Sequence, residues 1–310
     1  MLPFKLIYHE RYDLNLGAHV FPSQKYRLIA DRLASEGIAL PNNFLCPEPA
    51  SDADILRVHT PEWMNKLKTG TLTPNDIMKL EVPYSPELVN AFWLAAGGSI
   101  LAAQAASLDG FGCNIGGGFH HAYPGHGEGF CAIHDVAVAI RKMQADGTIR
   151  KAMVVDTDVH QGNGTAAIFV HDPTVFTLSI HQWNLYPNHK PPSTVDLNMD
   201  DRVGDAEYLA ALLPAVRAGL EKFHPDMLFY VGGADPYKED QLGGLNLTMN
   251  GLKTRDQAVF EEARQRNIPV VTTLAGGYAR QVADTVQIHI NTILAAKSAA
   301  EKFPPTRKIP

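Results

Sequence analysis

The chain has 310 residues, 45% of them apolar and 19% charged, which places it with soluble globular proteins and excludes disordered and fibrous classes. Its 27 Lys and Arg against 33 Asp and Glu give a formal charge of −6, so the basic excess that binding to a phosphate backbone demands is missing and nucleic acid is not expected as a partner. Cys46, Cys113 and Cys131 are odd in number and widely spaced, without a disulfide framework or a CxxC knuckle, and point to a reducing cytoplasm.

The opening MLPFKLIYHERYDL is broken by charge too early for a signal peptide and reads as a strand at 4–9 followed by a loop. A helix is predicted at 23–36. The stretch 88–108 runs for 21 residues without a charge, a length that suits a bilayer. Ala, Gly and Ser dominate it, however, and Asn90 and Gln104 lie inside, so a helix buried against a sheet is expected and no membrane span. A short run, GCNIG at 112–116, leads into GGGFHHAYPGHGEGF at 116–130. Neighbouring residues face opposite sides of a strand and lie about 100° apart on a helix. If His120 and His121 serve one site they therefore belong in a loop, which the preceding glycines permit. With 13 histidines in the chain, one adjacent pair alone decides nothing.

A helix at 134–146 precedes a strand at 151–156 that ends in DTDVHQGNG. The next predicted strand is 175–180 and the next helix 205–223. A strand at 226–231 runs into GGADPYKEDQLGG, a helix follows at 251–266, and a strand at 269–274 runs into AGGYAR ahead of a last helix at 280–302. This alternation predicts a parallel sheet covered on both faces, in one α/β domain spanning 1–310 with a loosely held tail at 303–310. In such sheets the ligand site gathers beyond the carboxyl ends of the strands, and the polar motifs fall at those ends.

Asp156, Asp158 and His160 alternate, so in an extended segment they share a side. Two carboxylates and an imidazole at that spacing suit a divalent ion, and Asp235 is a further carboxylate at another strand end. An Asp/His/Asp set leaves one position free for water, as hydrolysis requires. Any one of these aspartates alone is more simply a turn or cap residue; the argument is their combination with the double histidine and the glycine-flanked strand ends. Tyr278, after AGG, is either a plain turn aromatic or a hydrogen-bond donor to an oxyanion.

GGGFHH, DTDVHQGNG, GGADPYKEDQLGG and AGGYAR, in this order, resemble the histone deacetylase superfamily on the arginase/deacetylase fold. The likeness runs from HVFPSQKYRL at 19–28 to the last helix, and GFHH, HQGNG and GGYAR look closest to class IV members and their bacterial relatives. The resemblance implies a three-layer α/β fold with a mostly parallel sheet of about eight strands between helices. It implies hydrolysis of Nε-acyl-lysine in proteins or peptides, with Zn2+, or Fe2+ in its stead, on Asp158, His160 and Asp235. His120 is then paired with Asp156 and His121 with Asn163, and Tyr278 stabilises the transition state. A structural K+ site would match Asp156, Asp158, His160, Ser179 and Ile180. The substrate tunnel would be walled by Gly129, Phe130, Leu242 and Tyr186, the last with a register ambiguity of one residue. Eukaryotic class IV members also raise the prospect of long fatty acyl substrates.

Two departures stand out. Gln161 replaces a second histidine of other classes, and the rim aspartate that holds substrate backbone has no clear match in KLEVPYSPEL at 79–88, where Glu81 and Glu87 are the candidates. A ureohydrolase would need further aspartates where Asn163 stands. Acetylpolyamine hydrolysis would need an acidic gate where Leu242 stands, with Glu239 and Asp240 nearby. An inactive acyl-lysine binding protein is the third alternative. Because a neutral amide shifts an imidazole less than a carboxylate does, His120 is expected to be more easily protonated than His121.

Overall fold

The computed structural model describes residues 1–306. The first third of the chain carries β1 (Lys5–Ile7), α1 (Lys25–Ser35), β2 (Phe44–Leu45), α2 (Asp52–Ile55), α3 (Pro61–Thr69), α4 (Pro74–Leu80) and α5 (Pro86–Asp109). The middle adds β3 (Phe111–Asn114), α6 (Asp135–Ala145), β4 (Ala152–Asp156), α7 (Asn163–Phe169), β5 (Val175–Gln182) and β6 (Val195–Met199). The remainder is α8 (Asp205–Phe223), β7 (Met227–Val231), α9 (Met249–Arg264), β8 (Val270–Thr273) and α10 (Val282–Lys302).

Among the described residues the strands form one eight-stranded sheet in the order β2-β1-β3-β8-β7-β4-β5-β6, and every strand pairing is parallel. Strands in such a sheet are buried on both faces and read as continuous apolar runs. That is why AMVVD in β4 and MLFYV in β7 are buried at every position. The four central neighbours β3, β8, β7 and β4 each release one of the motif loops at the carboxyl end, so side chains far apart in sequence meet over one edge of the sheet.

α5 is the core helix. Ser85 caps its start by accepting the Leu88 N–H, Pro86 fits the first turn, and it packs on β3, β1 and α6. Its length and apolarity would suit a membrane crossing, but 78% of its most apolar stretch is buried inside the protein. Of the tail expected to be loose, 307–310 lie outside the described residues. Ahead of them the Phe303 carbonyl accepts from Arg264 Nη2 at 3.2 Å and the Thr306 N–H donates to Asn267 Oδ1 at 3.4 Å.

Candidate active site

Gly117 and Gly118 take φ of +80° and +78° beyond β3, a region closed to most side chains. The turn is tied down by Asp135, whose carboxylate accepts the N–H groups of Gly118 at 3.0 Å and Phe119 at 2.8 Å. Both following histidines therefore enter one buried space, their ring centroids 4.0 Å apart. His120 Nδ1 lies 2.7 Å from Asp156 Oδ2, and His121 Nδ1 lies 2.7 Å from Asn163 Oδ1.

The β4 end folds on its own carboxylates. Asp156 Oδ1 accepts the Asp158 N–H at 3.1 Å and Asp158 Oδ1 accepts the His160 N–H at 3.0 Å. Asp235, after β7, accepts the Val159 N–H at 2.9 Å. One ligand atom each from Asp158, His160 and Asp235 lies within 4.8 Å of the others, all buried. Gly276 closes over them: its N–H donates to Asp158 Oδ2 at 2.9 Å, and a Cβ there would run into the carboxylates of both Asp158 and Asp235.

The trio fits a divalent ion. Among the described residues Asp235 Oδ2 is buried without a hydrogen-bond partner, His160 Nδ1 lying 3.4 Å away, a costly state unless a cation engages it. Burial disfavours a charged His160, yet Asp158 and Asp235 outweigh it and lift that imidazole to about 10. Burial and the Asp158 charge push Asp235 up to about 7. Two carboxylates and an imidazole converging in burial are a donor set that suits a divalent ion.

The two histidines differ electrostatically. Burial works against charge on His120, but Asp156 and Asp158 raise it to about 9. Burial, His120 and His160 hold His121 well below the ordinary imidazole value. Tyr278, after β8, is 7% exposed; burial, then Asp158 and Asp235, push its phenol far up, so it remains a donor. Asp240 Oδ2 accepts the Tyr278 N–H at 2.7 Å and Gln241 Nε2 donates to its carbonyl at 2.9 Å.

A cavity of about 270 Å³ opens onto this edge, and Gly129, Phe130, Tyr186 and Leu242 all line it beside His121, His160 and Tyr278. Glu81 and Leu185 complete the wall. Of the two rim candidates only Glu81 is there, its carboxyl pushed up by partial burial and by Glu128. Glu87 belongs to a separate groove with Arg11 and Asn90. Asp240 faces inward and is spent on the N–H groups of Leu242, Gly243 and Tyr278. Gln161 turns away from the cavity group, donating to the Pro191 carbonyl at 2.8 Å and Asp196 at 3.1 Å. Ser179 is the register partner of Asp156 on β5 and pairs with His181 Nδ1 at 2.9 Å, with Ile180 next along the strand.

Three supporting side chains carried no signal in the motif reading. Glu128 accepts from Asn163 Nδ2 at 2.8 Å and from the Tyr186 hydroxyl at 3.0 Å. Asp135 holds the double-histidine turn. Arg255, fully buried in α9, donates to the Thr157 carbonyl at 3.0 Å, the Gly233 carbonyl at 2.9 Å and Asp256 at 2.8 Å. It thereby ties the end of β4 to the end of β7. Its trace in the sequence is a charged pair, Arg255 and Asp256, set in the apolar stripe formed by Leu252, Val259, Phe260 and Ala263.

Comparison with known proteins gives one family. A family profile described as "Histone deacetylase domain" matches residues 19–293. An uncharacterized protein of Picosynechococcus sp. is 38% identical over 92% of this chain and 96% of its own. Histone deacetylase 2 of Arabidopsis thaliana is 32% identical over 91% of this chain and 77% of its own. A probable deacetylase of Archaeoglobus fulgidus is 29% identical over 88% of this chain and 81% of its own. Among solved structures, the HDA15 HD domain superposes with a TM-score of 0.77 at 24% identity, over 95% of this chain and 88% of that one, a likeness of fold.

Proposed function

The chain belongs to the histone deacetylase family, and from that membership and the pocket we propose that it hydrolyses the amide of Nε-acyl-lysine in peptides or proteins, releasing a carboxylate and free lysine. The observation that carries the reading is one cavity whose wall brings His121 and Tyr278 together beside His160 of the Asp158, His160 and Asp235 set, in burial that favours the neutral imidazole and the protonated phenol. Zn2+, with Fe2+ as the alternative, would be held by those three residues and, when bound, supplies Lewis-acid polarisation of the carbonyl and acidifies the attacking water. A structural K+ on Asp156, Asp158, His160, Ser179 and Ile180 belongs to the same proposal.

The protein's own groups do the rest. His121, neutral at pH 7 and oriented by Asn163, takes a proton from water as it attacks the carbonyl carbon, then returns it to the departing lysine amine. The Tyr278 hydroxyl donates to the oxygen that becomes negative, a contact stronger in the transition state than in the ground state. Phe130, Leu242 and Tyr186 cover the aliphatic stem of the lysine and exclude bulk water.

At the acyl end the space bordered by Phe21, Phe119 and Cys131 is only about 20 Å³, room for roughly one water. That supports acetyl and short acyl groups over the fatty chains the class IV likeness raised. Glu81 in the wall supports a second reading, an acylated small amine whose distal ammonium it would receive. Reconstitution with zinc and assay on an Nε-acetyl-lysine peptide and on N-acetylputrescine separates the two. Peptide turnover that collapses in Tyr278→Phe is expected. Turnover of the polyamine alone puts the second reading first, and a stoichiometric metal count without any turnover leaves an acyl-lysine binding protein. A cytoplasmic location, in keeping with three unpaired cysteines, and a single catalytic domain complete the proposal.

A further inference from the structure

The partner of His121 is an amide, and an amide can present either end to an imidazole. Here the surroundings choose. The Gly164 N–H donates to Asn163 Oδ1 at 3.0 Å, and that oxygen faces His121 Nδ1. On the far side Asn163 Nδ2 donates to Glu128 Oε1 at 2.8 Å; the same oxygen accepts the Tyr186 hydroxyl at 3.0 Å, and Oε2 lies 3.3 Å from His126 Nε2. A carboxylate only accepts, so the NH2 must face Glu128 and the oxygen must face His121. His121 is then obliged to carry its proton on Nδ1, which leaves the Nε2 lone pair for the pocket.

We propose that Glu128 is a positioning residue: through the Asn163 amide it fixes the tautomer of His121, so that His121, Asn163 and Glu128 form a three-member orienting chain ending in a carboxylate held one amide away from the imidazole. Glu128 is absent from the cavity wall. Although burial pushes its carboxyl up, His126, Asn163 and Tyr186 outweigh this and hold it below the usual range, so it stays an acceptor at neutral pH. Its hydrogen bond to Tyr186 joins the orienting chain to the tunnel wall, which links the alignment of the base to the shape of the channel.

The proposal rests on the deacylase reading for its kinetic consequences, and the test has two independent arms. In steady-state assays of the zinc-loaded enzyme on an acetyl-lysine peptide, Glu128→Ala should lower kcat by roughly 10- to 100-fold, the usual cost of removing an orienting partner, with a smaller change in KM. Glu128→Gln should lose less, because its amide oxygen can still accept from Asn163. Asn163→Asp sets two carboxylates against each other and should be poor, whereas Asn163→Asp with Glu128→Gln restores a donor between them and should recover roughly tenfold or more. Unchanged kcat in Glu128→Ala, or equal rates for Asn163→Asp with and without Glu128→Gln, overturns the proposal. The second arm needs no substrate: 15N NMR of the His121 ring should report Nδ1–H in the wild type and a mixture or Nε2–H in Glu128→Ala. If the wild type turns over no acyl substrate, the deacylase reading falls while this arm still decides the orienting chain, and identical ring spectra in the two proteins overturn it.

Discussion

Two adjacent histidines with the same covalent structure are given opposite proton affinities by their partners. His120 faces a carboxylate and is lifted to about 9, while His121 faces an amide and is held well below its ordinary value, the order that Asn163 in the sequence implied. In metal-free protein, 15N NMR should show His120 protonated across neutral pH and losing its proton near 9, with His121 neutral from pH 6 to 8. The same shift makes folding stability depend on pH. His120 has a folded pKa above the roughly 6.5 of an unfolded histidine, so its contribution is fully present below pH 6.5 and is lost as pH rises through about 9. The difference in Tm between wild type and Asp156→Asn, measured by thermal melts, should therefore narrow between pH 6 and pH 10. For Tyr278→Phe the expected loss is in kcat, roughly 100- to 1,000-fold, the cost of removing one oxyanion donor, with the fold unchanged by circular dichroism. Residues such as these were legible because the double histidine, the alternating Asp and His and the glycine-flanked strand ends occur together, in an order that resembles one family, although none of them decides anything alone. Glu128 was not, because its meaning lies in partners 35 and 58 residues away, Asn163 and Tyr186. A lone glutamate in a loop has no pattern until the chain has folded.

At the scale of elements, strands and helices with strong periodicity were readable to within a few residues, and the short ones were not. α8 falls at the predicted 205–223. β2 has two residues and β6 reads VDLNM, half polar because it is a sheet edge, so neither offers an apolar run. α3 and α4 span nine and seven residues, too short for an apolar face to repeat, yet each starts with a Thr cap and a Pro in the first turn, Thr60–Pro61 and Thr73–Pro74. Those caps are a signal a closer reading could use. α9 shows how one element serves the site from behind, since Arg255 spans the carbonyls of Thr157 and Gly233. Arg255→Met leaves Asp256 buried without its charge partner and should cost about 3–5 kcal/mol in urea denaturation, the range for breaking a buried ion pair from one side. It should also weaken metal binding, read by chelator competition, because the loops bearing Asp158 and Asp235 lose the brace between them.

For the whole molecule, a metal ion held by the trio would couple binding to folding across the carboxyl edge of the sheet. The loops after the four central strands supply the Asp158, His160 and Asp235 trio and the His120, His121 and Tyr278 beside it, so an ion there would join the ends of β4 and β7 and oppose their separation. Stabilisation follows mass action, about 2.7 kcal/mol when free metal is a hundredfold above Kd. The Tm should accordingly fall on dialysis against a chelator and return with added Zn2+, and a melt indifferent to both would count against a metal site in this trio.

The order in which these parts leave the ribosome adds one consequence of the buried α5. By length and composition α5 passes for a membrane-crossing segment, so while nascent it is an apolar surface that only its packing partners cover. Three of its covers, β1, β3 and α6, are complete by residue 145, whereas β8 arrives only at residue 270. Most of the partners of this apolar segment therefore exist before β4, β7 and β8 do, whereas the pocket at the sheet's edge is complete only once Tyr278 has been made, with α10 still to follow.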